Sequence, residues 1–567
     1  MTYMPHITQP ADLRKLDPIG LEMLAAEIRR DLIERVTRTG GHIGSNLGLV
    51  EATIALHYVF ESPVDRIVFD VSHQSYVHKM LTGRYAAFMQ GTTSGYTNPR
   101  ESAHDPFIVG HTSTAVSLAV GLAKGRELLG GTEHIVAVLG DGSLSGGEAF
   151  EGLNNAANVQ GNLVIVFNDN EMSIAENRGG MYAGIASLRA TGGQSPINLF
   201  RALGLDYMYV EKGNDVGELI RALTVAKQSD HPIVVHIHTH KGEGLPWADE
   251  QREQIHWIMP AGAKPPAEPP LSALIAQYLA ARLAERSDLV VINAATPGAV
   301  GLSREWRRAA GDRFVDVGIC EPHAVALASG AATRGAKPVM LVLSSFVQRT
   351  YDQLSQDLAM NGSPAVIIVY GGGMGYSDPT HAGLYDMAMM ANIPGLRCVA
   401  PCSRRQLFAT LDWALAEREC PVVVRVPNAL PDDEHEGMGW QVWRRGTCVA
   451  LVGLGDMAAH AMAVADALHA VGVEATVVAA DDYSAVDTSL LDSLPPHTLY
   501  VTLENGVLDG GFGQKVAAYL AQKGTLVWTR GAAKSFVDRR TYSQQLEDNR
   551  MTVAQLTADI VAACRKR

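Results

Sequence analysis

Short, fully apolar runs alternate with longer amphipathic stretches along most of this chain. HIVAVLG (134–140), NLVIVFND (162–169) and PIVVHIHTH (232–240) are compact apolar runs, and the stretch from Glu148 to Val159 between the first two has helical spacing. Apolar strands separated by helices predict a parallel sheet covered on both faces. The rhythm restarts at DLVVINAA (288–295), KPVMLVLSS (337–345), AVIIVYGG (365–372) and CPVVVRVP (420–427). It restarts again at TCVALVGLG (447–455), EATVVAA (474–480) and TLYVTLENG (498–506). Three such blocks predict an α/β protein of three doubly wound domains with mainly parallel sheets. MPAGAKPPAEPP (259–270) and the acidic PDDEHEGMG (431–439) read as joints. The expected organisation is therefore a first domain at 1–262, a linker at 263–285, a second domain at 286–430, a linker at 431–442 and a third domain at 443–567.

A length of 567 residues exceeds a single core, which agrees with several domains. The net charge of -13 argues against a nucleic-acid partner, because phosphate backbones select basic surfaces. No uncharged apolar run is long enough to span a bilayer, so no membrane partner is expected. The opening MTYMPHITQPADLRKLDP lacks a basic region followed by an apolar stretch. The six cysteines form no CxxC pair and read as reduced thiols. Together these point to a cytoplasmic protein.

Candidate chemistry begins at the end of the run 134–140, with Gly140-Asp141-Gly142, and continues at the end of the next run, with Asn168-Asp169-Asn170. Loops after parallel strands lie at the carboxyl edge of the sheet, where α/β proteins bind ligands. Glycines let a backbone approach a diphosphate closely, and Asp141 and Asn170 supply hard oxygen ligands that suit Mg²⁺. Taken alone, a Gly-Asp-Gly word reads rather as a tight turn with a solvated Asp, followed by an unrelated Asn-rich turn.

The longer words narrow the choice. GDGSLSGGEAFEGLNNAA with NDNEMSI, GGHIGSNLGLVE (40–51), IVFDVSHQSYVHKMLTGR (67–84), VGHTSTAVSLAVGLA (109–123), VDVGICEPHAVALASG (315–330), SSFVQRTYDQ (344–353), DPTHAG (378–383) and LENGVLDGGFG (503–513) occur in one order. Together they resemble the 1-deoxy-D-xylulose-5-phosphate synthase family of the transketolase superfamily. The resemblance implies a diphosphate-binding domain, a pyrimidine-binding domain and a transketolase-type C-terminal domain. Thiamin diphosphate would bind between the first two, with Mg²⁺ held by Asp141, Asn170 and the carbonyl of Met172. It assigns Glu321 as the carboxyl group that activates the pyrimidine, Phe346 as the aromatic packed on it, and Lys241 and His73 to the cofactor pocket. His42, His73, His256 and His381 match active-site histidines, able to hydrogen-bond substrates or move protons. Arg349, Asp378 and Tyr370 are the substrate-facing candidates. A homodimer is implied by the resemblance alone.

Two departures concern the acceptor. Where the family carries Arg in an Asp-Arg-Ala-Gly word, this chain has Tyr370-Gly371-Gly372-Gly373, and where it carries Arg in Tyr-Pro-Arg-Gly-Asn, this chain has Val426-Pro427-Asn428-Ala429. Arg349 is kept, and Leu343 replaces the Tyr of a Tyr-Ser-Thr-Phe word. A weakened site for the acceptor phosphate follows, unless Arg425 or Arg100 has taken over. The segment after NDNEMSI is also shorter than the family's. Three functions fit these residues: a synthase that decarboxylates pyruvate or another 2-oxo acid and adds two carbons to an aldehyde, a transketolase-type ketol transferase, and a non-catalytic binding paralogue.

Overall fold

The computed structural model describes residues 2–264, 268–375, 378–432, 435 and 437–565. The apolar runs become buried strands of three sheets. The first contains β1 (Arg66–Phe69), β2 (Ile135–Gly140), β3 (Leu163–Asp169), β4 (Asp206–Val210) and β5 (Pro232–His238), ordered β1-β2-β3-β5-β4 and parallel throughout. Val136, Val138, Val164 and Val166 face one apolar cluster, and Ala137, Leu139, Ile165 and Phe167 face another. Both faces are thus covered, which is why these strands read as unbroken apolar runs rather than alternating ones.

The second sheet holds β6 (Leu289–Asn293), β7 (Phe314–Asp316), β8 (Lys337–Leu343), β9 (Val366–Tyr370), β10 (Arg397–Val399) and β11 (Val422–Val426), ordered β10-β11-β9-β8-β6-β7 and parallel. The third holds β12 (Gln441–Arg444), β13 (Val449–Leu454), β14 (Ala475–Ala480), β15 (Leu499–Val507) and β16 (Val527–Ala532), ordered β12-β14-β13-β15-β16. Its edge strand β12 pairs antiparallel with β14, and the other pairings are parallel. The chain is an α/β protein with mainly parallel sheets.

The three sheets fall into two compact units. One spans residues 1–265 with 318–320, and the other spans 266–317 with 321–567. The second unit carries two sheets because they share a core: Ile292, Met340 and Ile367 of the second sheet cluster with Val452, Val478 and Tyr500 of the third. The described end of the stretch 431–442, expected as a linker, is joined to this unit. Trp440 is buried and donates its indole N–H to the Asp482 carbonyl, and β12 begins at Gln441. The expected linker 263–285 differs as well. Leu271–Glu285 is a helix that buries Leu271, Ile275, Leu279 and Leu283, spaced four apart, in the core of the second sheet. Its prolines sit before the first turn, where a helix tolerates them, and that composition concealed the periodic face behind it.

Candidate active site

In the first unit β2 and β3 are neighbours, with Gly140 in register with Asn168, so the loops carrying Asp141 and Asn170 leave the same edge of the sheet. Gly142 has no room for a side chain: a Cβ there would lie 2.9 Å from the backbone of Ser173. Beside Gly140 the space is open, with no atom nearer such a Cβ than the Ser143 hydroxyl at 4.0 Å. That gap fits a ligand approaching the backbone closely.

Asp141 is buried, and burial together with the charge of Asp169 pushes its carboxyl up to about 7. Its Oδ2 accepts a hydrogen bond from Asn177 Nδ2 at 2.7 Å. Asn170 is also buried, and its Oδ1 accepts no hydrogen bond among the described residues. A buried carboxyl beside a second carboxylate and a buried amide oxygen without a donor are each the kind of group a hard cation satisfies, so these residues fit Mg²⁺. Met172 lies in the same loop, in a one-residue bridge with Glu176. Lys241 is buried, its ammonium donating to the Ser173 carbonyl at 2.5 Å, and burial lowers its pKa to about 8. It adds positive charge beside Asp141, where a diphosphate would need it.

Three of the four expected histidines meet in this unit. The rings of His42, His73 and His256 lie 4.8, 5.3 and 5.1 Å apart, centroid to centroid. A backbone bridge between Gly41 and Ile258 draws the His42 turn to the His256 segment. Asn46, fully buried, ties His42 to His73 by donating Nδ2 to both backbone carbonyls, at 2.9 and 2.7 Å. Burial, then the neighbouring Lys241, His73 and His42, holds His256 well below its ordinary pKa, so it is a neutral imidazole at neutral pH. His104 has a different environment: burial and His78 lower it to about 4, and its Nδ1 meets the Ser62 hydroxyl.

In the second unit Glu321 opens the helix Glu321–Thr333, five residues after β7 ends. It is 3% exposed, and burial raises its pKa against the opposing charge of Arg349, whose Nη1 lies 3.9 Å from Oε2. That oxygen accepts no hydrogen bond among the described residues. Phe346 packs edge-on against His381 at 5.5 Å. His381 Nδ1 meets the Thr380 hydroxyl at 2.8 Å. Burial acts to raise Asp378, but hydrogen bonds from His381 and Thr380 keep it below the usual carboxylate range.

Tyr370 is buried in the core of the second sheet, and its hydroxyl has no hydrogen-bond partner among the described residues. Arg425 does not replace the missing arginines. It is 2% exposed, and its Nε and Nη2 hold Asp386 at 2.7 and 3.3 Å while Nη2 also donates to the Asn505 carbonyl at 2.9 Å. The Gly371–Gly375 loop lies directly on this network. A Cβ on Gly372 would come 2.5 Å from Arg425 Nε, so the family's Ala does not fit there. Gly371 itself has φ +67°, which disfavours a side chain. Arg425→Met is expected to destabilise the second unit by about 3 kcal/mol, because Asp386 would stay buried without its partner. Urea unfolding measures this, and an unchanged midpoint would refute it.

Sequence reasoning passed over Asn46, Asp169, Asn177, Tyr182 and Arg189. Only Asp169 had a local signal, its place between two asparagines at the end of β3.

Comparison with known proteins accords with this geometry. Residues 4–196 match the family model of 1-deoxy-D-xylulose-5-phosphate synthase, 268–432 that of the transketolase pyrimidine binding domain, and 439–550 that of the transketolase C-terminal domain. The 1-deoxy-D-xylulose-5-phosphate synthase 1 of Geobacter sulfurreducens is 36% identical over 92% of this chain and 91% of its own. The Symbiobacterium thermophilum synthase is 37% identical over 96% and 92%. Among solved structures, the Leishmania mexicana transketolase is similar over 96% of this chain and 97% of its own, at 15% identity and a TM-score of 0.46, too distant to bear on function. With identity of this order along nearly its whole length, the chain belongs to the 1-deoxy-D-xylulose-5-phosphate synthase family of thiamin-diphosphate-dependent transferases.

Proposed function

We propose that this chain takes a two-carbon unit from pyruvate, or a closely related 2-oxo acid, with loss of carbon dioxide, and joins it to an aldehyde, using thiamin diphosphate and Mg²⁺. The observation that carries this reading is Glu321, a buried carboxyl of raised pKa with an oxygen that lacks a hydrogen bond. Such a group shares a proton readily with a ring nitrogen, the interaction an aminopyrimidine needs. Bound thiamin diphosphate supplies the nucleophilic carbon and the electron sink for decarboxylation. The protein contributes position and charge. Asp141 and Asn170 would hold the metal, Lys241 would face the diphosphate, and the His42–His73–His256 group would donate or accept protons at substrate oxygens.

The acceptor phosphate is weakly recognised in this reading. Arginine grips phosphate through a planar fork, and this chain has Gly371 and Asn428 in place of two such arginines. Hydrogen bonds to a charged group contribute about 1.5–3 kcal/mol each, so the loss amounts to roughly two to four powers of ten in discrimination. Arg349 keeps part of the attraction. Purified protein supplied with thiamin diphosphate, Mg²⁺ and pyruvate is expected to release carbon dioxide and to favour glyceraldehyde 3-phosphate over glyceraldehyde by less than about a thousandfold in kcat/KM. A larger preference would sink the altered-acceptor reading, and ketose consumption without carbon dioxide would sink the synthase reading.

The family resemblance also supports a homodimer, which light scattering at micromolar concentration tests. The acidic charge and the six cysteines, which are thiols rather than disulfides, support a reducing, cytoplasmic setting. Among the described residues no helix is long and apolar enough to cross a membrane.

A further inference from the structure

The shortened segment after Ile174 is built around the two side-chain metal candidates. Asn177 Nδ2 donates to Asp141 Oδ2 at 2.7 Å, and the Tyr182 hydroxyl donates to the Asp141 carbonyl at 2.8 Å. Arg189 grips both neighbours of Asn170, with Nη1 at 2.6 Å from Asp169 Oδ2 and Nη2 at 3.1 Å from Glu171 Oε2. Tyr182 and Arg189 share one helix, Met181–Ala190, and its Ile185 and Leu188 are buried with Leu139 and Phe167 of the first sheet. The helix is therefore anchored in the core, and its polar side chains reach the loops from a fixed base.

Two features give these contacts a purpose. Glu171 has φ +64°, a conformation that non-glycine residues rarely adopt, and it directly follows Asn170. Arg189 on Glu171 Oε2 and the Glu171 N–H on Asp169 Oδ1 at 3.3 Å hold it there. Asp169 is fixed from the other side by His236 Nε2 at 2.9 Å, and the Tyr207 hydroxyl sits 2.8 Å from His236 Nδ1. Burial and the Asp141 charge keep the Tyr182 phenol protonated, so it remains a donor.

We propose that residues 177–189 are a clasp in which Asn177, Tyr182 and Arg189 act as positioning residues. They set Asp141 and Asn170 for the metal before metal and diphosphate arrive. The inference rests on the cofactor reading above. Groups that orient metal ligands typically contribute roughly 10–100-fold to metal affinity.

Three variants test the clasp. Tyr182→Phe removes one hydroxyl, Arg189→Met removes the guanidinium fork, and Arg189→Lys keeps the charge without the fork. Calorimetric titration of Mg²⁺ at saturating thiamin diphosphate is expected to show roughly 10–100-fold weaker binding for Arg189→Met, with partial rescue by Arg189→Lys. Arg189→Met should also lower the melting temperature, because Asp169 stays buried without its guanidinium, whereas Tyr182→Phe should weaken metal binding with little change in melting temperature. In the cofactor-free protein, hydrogen–deuterium exchange should find the amides of 181–190 protected, and those of 170–173 faster in Arg189→Met than in wild type. Wild-type metal affinity in Tyr182→Phe and Arg189→Met, or exchange at 170–173 unchanged by Arg189→Met, would overturn the clasp. A wild-type protein that does not bind thiamin diphosphate would overturn the cofactor reading instead, and the exchange comparison would still decide the clasp.

Discussion

Glu321→Gln is expected to lower turnover by roughly two to four powers of ten while leaving thiamin diphosphate bound. The carboxyl opens a helix, whose dipole favours a negative charge, yet it is buried, which favours the neutral acid. Arg349, 3.9 Å away, opposes the burial. Burial prevails, so the carboxyl holds a proton more tightly than an exposed glutamate does. An amide fills the same volume and still forms hydrogen bonds, but it cannot exchange a proton with the pyrimidine. Calorimetry should therefore show near wild-type cofactor affinity, and deuterium exchange at the thiazolium C2 should slow strongly. Wild-type exchange and turnover in the variant would show that another group does this work.

Asp141→Ala is expected to weaken metal-dependent cofactor binding by a comparable factor. Removing one partner from a buried charge contact costs about 3–5 kcal/mol, or roughly two to four powers of ten in affinity. Two compensations are missing. Asn170 offers a neutral oxygen only, and Lys241 is tied to the Ser173 carbonyl. Uptake in the wild type should also strengthen as pH rises through about 7, because a metal ligand must be deprotonated and burial beside Asp169 holds Asp141's proton up to that value. Calorimetry with thiamin diphosphate and Mg²⁺ reads both effects. Unchanged affinity in Asp141→Ala would place the metal elsewhere.

Much of this was legible in the chain itself. Strands such as Val366–Tyr370 and Val449–Leu454 are buried along their whole length, so their apolar character is continuous and needs no tertiary information. The positions of Asp141 and Asn170 at neighbouring strand ends followed from the order of those runs. The helix Leu271–Glu285 was concealed by the prolines before it, although its apolar residues recur every fourth position. The union of the second and third sheets in one unit had no sequence signal, because a core shared between sheets looks locally like two separate cores.

The sequence by itself determined the α/β architecture and the family, and it nominated the candidate side chains, because burial pattern and local words are properties of adjacent residues. Only the tertiary structure decided which of those side chains lie together. The His42 and His256 rings meet because Gly41 pairs with Ile258, far along the chain. Arg425 lost its role as a replacement phosphate ligand because Asp386 and Asn505 reach it inside the core. Arg189 reached Asp169 and Glu171 because Ile185 and Leu188 pin its helix to the first sheet. Each of these is a hydrogen bond or ring contact between segments distant in sequence. Such contacts depend on how elements pack, and periodicity records only that a face is buried, not what it is buried against.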